Sequence, residues 1–297
     1  MEVLAIDRSN QALELGRKIF YALAELLGER AWHVHCYKGS AERPLPALQN
    51  LYGKTGEEKY YPWLLSEANI INELISKTPS REESSTEEGE PEPDEEFECE
   101  NSFPGRLLNS WLPIWQSKGV RSSALFIEPG TRLGGDAIMN LRRCALHLGF
   151  KAGSPCTHSQ ECPLLKKNRR NGSYAESWCH FTFSVSGAPH WLQDLSRQAG
   201  LEKSSLSLSF LLLEKKLADS YPQNASRIIS QAFKVPRLKG DARYGCGAWG
   251  LELLEDASQL PTGVLTFVQK KADSKLDKKS GAVICTAAKT KIHTQKD

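Results

Sequence analysis

Cys156, Cys162 and Cys179 fall within one loop-like stretch, SPCTHSQECPLLKKNRRNGSYAESWCHF. Soft thiolates hold zinc or iron with little competition from oxygen ligands, and the Cys156-x5-Cys162 spacing lets two sulfurs meet from a single tight loop. Cys179 brings a third. A four-coordinate site needs one more ligand, and His158, His180 and the distant Cys246 in ARYGCGAWG are the candidates. Gly245 and Gly247 flank Cys246, so backbone there can approach an inorganic cluster closely. The competing reading is a set of buried core thiols, a common fate of free cysteine. CxxC pairs are absent, so the spacing alone is only partly diagnostic.

A second set of residues suits a nucleotide-type ligand. Asp7 ends the apolar run Val3 to Ile6, and a carboxylate at a strand end can accept hydrogen bonds from both hydroxyls of a ribose. An ordinary turn or capping role would explain Asp7 equally well. Asn69 to Glu73, and the Glu128-Pro129-Gly130-Thr131 turn, lie at later strand ends and can line the same crevice. Asp7, Asn72, Glu73, Glu128 and Gly130 are therefore the candidate cofactor-binding residues, with Asn72 and Glu73 the best placed to face substrate. No residue stands out as a catalytic base. A reaction that depends mostly on positioning an already activated group needs no triad, so the lack of one excludes little.

The elements that must position these residues follow from the apolar patterning. Ser9 caps a helix with Leu15, Ile19, Leu23 and Leu27 at four-residue spacing before Gly28. Ala31 to Tyr37 is a further strand, and Leu64 to Leu74 runs from strand through loop into helix. Ser123 to Ile127 is a strand that leads into a helix carrying Ile138, Leu141, Ala145 and Leu148, with Gly149 as its stop. Alternating strands and helices imply a mainly parallel α/β sheet with its ligands beyond the carboxyl ends of the strands. Beyond residue 200 the pattern changes: Ser205 to Leu213, Arg227 to Val235, Ala248 to Leu254 and Val264 to Val268 read as antiparallel strands that complete the sheet and add a small barrel-like appendage. Such an appendage suits RNA backbone binding, although a purely structural role is open to it.

Composition excludes several classes. The 297 residues are 40% apolar, enough for a sizeable core, and eight cysteines are too sparse for a disulfide scaffold. No apolar run approaches the roughly 20 residues of a membrane span. MEVLAIDRSNQ has neither signal-peptide order nor the Arg-rich character of a transit peptide, which makes reduced thiols and a cytosolic setting the expectation. The net charge of +2 hides segregation. Residues 82–100 hold eleven carboxylates and no base, an acidic insertion that cannot form a core. Lys166, Lys167, Arg169 and Arg170 sit inside the cysteine stretch, and the tail from Lys270 to Lys296 is again lysine-rich, so both are candidate phosphate contacts. A solvated charged face is the plainer alternative for the tail.

IDRSNQALELG, ANIINEL, FIEPGT, PCTHSQECPL and WCHF stand here in one order. In that order they resemble the methyltransferase-like family associated with the small ribosomal subunit, which comprises mitochondrial ribosome assembly factors and bacterial relatives. The resemblance spans nearly the whole chain apart from the acidic insertion and the last twenty or so residues. It implies a Rossmann-like S-adenosylmethionine methyltransferase fold, a 4Fe-4S cluster on four cysteines, and association with the small subunit and its rRNA, with no DNA or membrane partner. By motif matching Cys156, Cys162 and Cys179 take the first three ligand positions and Cys246 best fits the fourth. Folds of this family open with a strand and a glycine-rich turn; MEVLAIDRS reads as the second strand, and Gly134-Gly135 follows a different one. The expectation is thus a Rossmann-like domain lacking its first strand over residues 1–150, interrupted by the insertion at 80–102, then a cysteine-rich metal loop at 151–190. A β region at 191–280 and a basic tail at 281–297 complete the chain. The leading function is an S-adenosylmethionine-dependent enzyme, with rRNA as its candidate target, that acts in ribosome assembly or translation. Its alternative is a non-catalytic RNA-binding assembly factor with a structural iron–sulfur or zinc site. Location would be the cytoplasm of a bacterium, or the mitochondrion of a eukaryote.

Overall fold

A computed structural model describes residues 2–26, 28, 33–44, 46–47, 64–71, 99, 102–116, 123–165, 178–214, 221–236, 240–270 and 276–288. They fall into two compact units, one from residues 1–63 and 96–122, the other from 64–95 and 123–297.

The first unit holds β1 (Glu2–Asp7), α1 (Asn10–Leu26), β2 (His33–Lys38) and α2 (Phe103–Gln116). β1 and β2 pair in parallel, Glu2 against His33 through Asp7 against Lys38. The expected strand–acid–helix unit is present, and the hydroxyl of Ser9 caps α1 by accepting from the Ala12 amide at 3.2 Å. The expected apolar stripe does not supply the core of this helix. Leu13 and Ala24 are buried, whereas Leu15, Ile19 and Leu23 are 60%, 51% and 42% exposed. A pair of strands offers a narrow apolar surface, and it covers only one edge of the helix.

The second unit begins with β3 (Leu64–Ala68), β4 (Ser123–Pro129), α3 (Arg132–His147), β5 (Lys151–Ser154), β6 (Phe181–Ser184), α4 (His190–Gln198) and β7 (Ser205–Glu214). The sheet order is β3-β4-β7-β5, with β6 also on β7. Only β3 and β4 run parallel; β7 is antiparallel to β4, β5 and β6. Ala124, Phe126 and Glu128 alternate inward along β4, and Ile138, Leu141 and Ala145 of α3 are buried at the predicted spacing. Gly149, at φ +84°, ends that helix, as its position in the sequence requires.

The remaining strands close a barrel. They are β8 (Ala225–Ile228), β9 (Phe233–Lys234), β10 (Asp241–Gly247), β11 (Gly250–Glu255), β12 (Leu265–Lys270) and β13 (Val283–Ala287). The ring runs β8-β10-β11-β13-β12 and returns to β8, and only the β11–β13 contact is parallel. Two runs read as single strands prove to be divided. Arg227 to Val235 is split between β8 and the short β9, and Ala248 to Leu254 contains the β10–β11 turn, because Gly250 takes φ +90°. Ile228, Leu254, Ala257, Val268, Cys285 and Ala287 fill the interior.

Glu252 points into that interior and is completely buried. Among the described residues neither of its carboxylate oxygens finds a hydrogen bond of ordinary geometry. Burial pushes its pKa up from 4.5 to about 7, and the nearby Ser226 hydroxyl and Trp249 backbone oppose only part of that rise. The neighbouring Cys285 thiol is raised to about 11, chiefly by burial and then by the Glu252 charge. A carboxyl whose folded-state pKa lies above its unfolded value favours folding fully below about 4.5, and that contribution fades as pH climbs through about 7. Denaturant titrations from pH 4.5 to 8 should therefore show the native protein losing on the order of 3 kcal/mol relative to Glu252→Gln, with the difference level above the upper limit. A constant difference across the range would refute the burial account.

Candidate metal centre

Four loops and strands of the second unit bring the cysteines to one place. Cys156 follows β5 through Pro155, Cys162 precedes a short 3-10 turn at Pro163–Leu165, Cys179 precedes β6, and Cys246 lies in β10. All four line a single cavity whose apolar wall includes Ile138, Met139, Leu164, Phe210, Leu211 and Ile229. Met139, Cys162 and Leu164 form a small buried cluster, against which Trp178, Cys179, Ile229 and Leu251 pack. The cysteine stretch is thereby pressed between α3 and the outer face of the barrel.

Hydrogen bonds fix the position of each segment. The hydroxyl of Thr157 donates to the Cys246 carbonyl at 3.2 Å, and Arg227 of β8 donates to the Pro155 carbonyl at 3.0 Å. Ser209 of β7 donates to the Cys179 carbonyl at 2.7 Å. Arg142, only 3% exposed, is the most extensively bonded of these groups. Its Nε donates to the Cys156 sulfur at 3.1 Å, and its Nη2 to the His158 and Gln160 carbonyls at 2.8 Å each.

The electrostatics record how close the thiols are. Burial pushes the Cys162 thiol up, and it pushes Cys179 and Cys246 well above the ordinary thiol range. Mutual repulsion adds to burial: Cys179 feels Cys156 and Cys162, and Cys246 feels the other three, while Arg142 opposes the rise at all of them. In the metal-free protein Cys162, Cys179 and Cys246 keep their protons. A bound cation would reverse that preference and take the protons' place.

Of the candidates for a fourth ligand, Cys246 lies in the cavity. His158 does too, with Nε2 3.5 Å from the Cys246 sulfur and Nδ1 buried without a partner among the described residues. Burial, helped by Arg142, lowers the His158 pKa to about 4, so the ring is neutral at physiological pH. His180 stacks on Trp178 with ring centroids 5.0 Å apart, and its Nδ1 lies 3.1 Å from the Trp178 carbonyl, outside the cavity lining. Among the described residues no three side chains are close enough to hold one metal ion as they stand. A tetrahedral zinc site would draw its sulfurs to about 2.3 Å from a single point.

The two glycines beside Cys246 have a different cause from close approach to a cluster. A Cβ on Gly245 would collide with the Ser226 hydroxyl, and one on Gly247 with Glu252 Oε1. Their lack of a side chain serves the barrel interior, on the face of β10 opposite Cys246. Gly135 acts similarly on α3, where a Cβ would collide with the Trp178 ring.

The candidate cofactor residues divide between the two units and the residues outside the description. Asp7 lies in the first unit, exposed, with Oδ1 accepting from the Ser9 amide at 2.6 Å. Asn72 and Glu73 lie outside the described residues, as do Lys166, Lys167, Arg169, Arg170, the acidic insertion apart from Cys99, and the end of the basic tail. Glu128 is 1% exposed, and its Oε1 accepts from the Ile71 amide at 2.9 Å. The Gly130 amide donates to the Ser207 carbonyl at 2.9 Å, and the Gly130 carbonyl accepts from Trp178 Nε1 at 3.0 Å. Sequence reasoning passed over Arg142, although a signal was present: it recurs three residues after Met139 on the buried side of an apolar helix. Arg142→Met should take the donor from the His158 and Gln160 carbonyls and from the Cys156 sulfur, and cost the metal-free protein roughly 2–3 kcal/mol in denaturant unfolding. An unchanged unfolding midpoint would show that the loop holds itself in place.

No curated protein matches the chain. The family resemblance, however, holds for the part that builds most of the cysteine site, with Cys156, Cys162 and Cys179 inside the matched span and Cys246 beyond it: residues 113–237 match the family model of the mitochondrial small ribosomal subunit Rsm22.

Proposed function

We propose that this chain is a small-ribosomal-subunit-associated protein of the methyltransferase-like kind that binds rRNA during ribosome assembly and carries a 4Fe-4S cluster on Cys156, Cys162, Cys179 and Cys246. The observation that carries the reading is the convergence of these four cysteines on one cavity within and beside the span that matches the ribosomal family. The cluster would lock the cysteine stretch to β10, and so hold α3 against the barrel. Arg142, and the Leu164 and Leu165 amides beside Cys162, would compensate part of the cluster's negative charge. A mitochondrial or otherwise ribosome-associated location agrees with the matched family. Among the described residues no helix is long and apolar enough to cross a membrane.

Anaerobically purified protein should be brown and contain iron and sulfide in equal amounts, and Ser at any of the four positions should deplete both. Cys144→Ser, in the buried face of α3, and Cys285→Ser, in the barrel interior, should leave iron content unchanged. Stoichiometric zinc without sulfide would replace the cluster by a structural zinc site. Co-sedimentation with isolated small subunits tests the other half of the proposal, and protein that stays in the supernatant sinks it.

Transfer of methyl from S-adenosylmethionine is the second reading. One observation favours it: Asp7 is exposed at the carboxyl end of the parallel β1–β2 pair, where a ribose would sit. Against it, the polar groups of Glu128 and of the Gly130 backbone already have partners within the fold. If the reading holds, calorimetry should detect S-adenosylmethionine binding, weakened by about 1–3 kcal/mol in Asp7→Ala. No heat with the native chain leaves the non-catalytic assembly factor.

A further inference from the structure

We infer that the barrel carries a single-stranded RNA site separate from the cysteine stretch, in a groove on the outer face of β10 and β11. The groove has a volume of about 520 Å³ and is lined by Phe233, Lys234, Val235, Tyr244, Leu253 and Lys279, among others. That volume lies within the range typical of ligand sites.

Topology supplies the frame. Numbered within the barrel, β8, β10, β11, β12 and β13 are strands one to five, and the ring order one-two-three-five-four closes on itself with a single parallel contact between three and five. Five-stranded Greek-key barrels of the OB type take up oligonucleotides on the face of their second and third strands, between the one–two and four–five connections. The groove occupies that place. Tyr244 and Leu253 are directly paired across β10 and β11 and form its floor. Phe233 to Pro236 belong to the connection between β8 and β10, and Asp277 to Lys279 to the one between β12 and β13.

Side-chain chemistry supplies the ligand. The rings of Phe233 and Tyr244 lie 4.8 Å apart at 35°, and both are partly exposed over a floor of Ala242, Leu253 and Ala282. Aromatic rings at the edge of a cationic groove stack bases of any identity. Lys234, Lys278 and Lys279 are exposed at its rim. The one carboxylate in the lining, Asp277, turns inward, with Oδ2 accepting from the Ser280 amide at 2.9 Å and from its hydroxyl at 2.7 Å. Stacking platform and cations together fit a nucleic acid with its bases free, which excludes a paired helix. The choice of RNA over DNA rests on the ribosomal reading above.

The test uses the full chain and a fluorescent single-stranded RNA of about ten nucleotides, with anisotropy read over a salt series. Phe233→Leu and Tyr244→Leu keep apolar volume but remove the stacking face, and each should weaken binding roughly ten-fold at an unchanged melting temperature. The exposed triple change of Lys234, Lys278 and Lys279 to Gln should flatten the dependence of log affinity on log salt by about 2, because each phosphate contact on a single strand contributes roughly 0.7. Native affinity and salt slope in the lysine variant overturn the proposal even if the aromatic variants misfold. Tighter binding of duplex RNA, or of single-stranded DNA of the same sequence, overturns it as well. Protein that binds the oligonucleotide in this pattern but fails to sediment with small subunits would sink the ribosomal reading and leave the groove standing.

Discussion

Four thiols and a guanidinium, enclosed where the sheet, α3 and the barrel meet, are the constraint on which the second unit turns. Burial of so many ionisable groups is costly unless each finds a counterpart. Arg142 neutralises part of the problem by reaching one sulfur and two carbonyls, and a metal cluster would neutralise the rest. The remainder of the local structure can be understood as support for this arrangement. Thr157 and Arg227 bind the cysteine stretch to the barrel, and Ser209 binds Cys179 to the sheet.

The same two barrel strands serve two neighbouring purposes. Along β10, Cys246 and Tyr244 are two residues apart and so share a face; along β11, Leu251 and Leu253 are related in the same way. Leu251 packs with the cysteine stretch, and Leu253 lies under the aromatic groove. The opposite face of β10 is interior and admits only Gly245 and Gly247 beside Ser226 and Glu252. One strand therefore ties a candidate metal centre, a buried carboxyl and a candidate stacking surface into a single rigid element.

The strand-end residues read as a nucleotide pocket show how one residue type can serve two ends. Glu128 has the position expected of a ligand-binding acid, but in this fold its carboxylate anchors the chain after β3 through the Ile71 amide. Gly130 permits the close approach of β7, since a Cβ there would stand 2.5 Å from the Ser207 side chain. Asp7 retains an exposed carboxylate, although it shares that group with the turn into α1.

Local features were legible from sequence because they depend on neighbours in the chain. The strand–acid–helix unit, the Ser9 cap, the inward spacing of Ile138, Leu141 and Ala145, and the stop at Gly149 all express helix periodicity or backbone freedom within a few residues. The cysteines announced a shared site by type and spacing, and the motifs around them announced a family. Long-range pairing was not legible. Nothing local predicts that β11 pairs in parallel with β13 to close a barrel, that Phe233 reaches Tyr244, or that Leu15 and Ile19 stay exposed while Leu13 is buried. These depend on which surface the chain supplies from far away. The convergence of Cys246 with Cys156, Cys162 and Cys179 is of the same kind: sequence could nominate the fourth thiol, but only packing β10 against α3 brings it to the others.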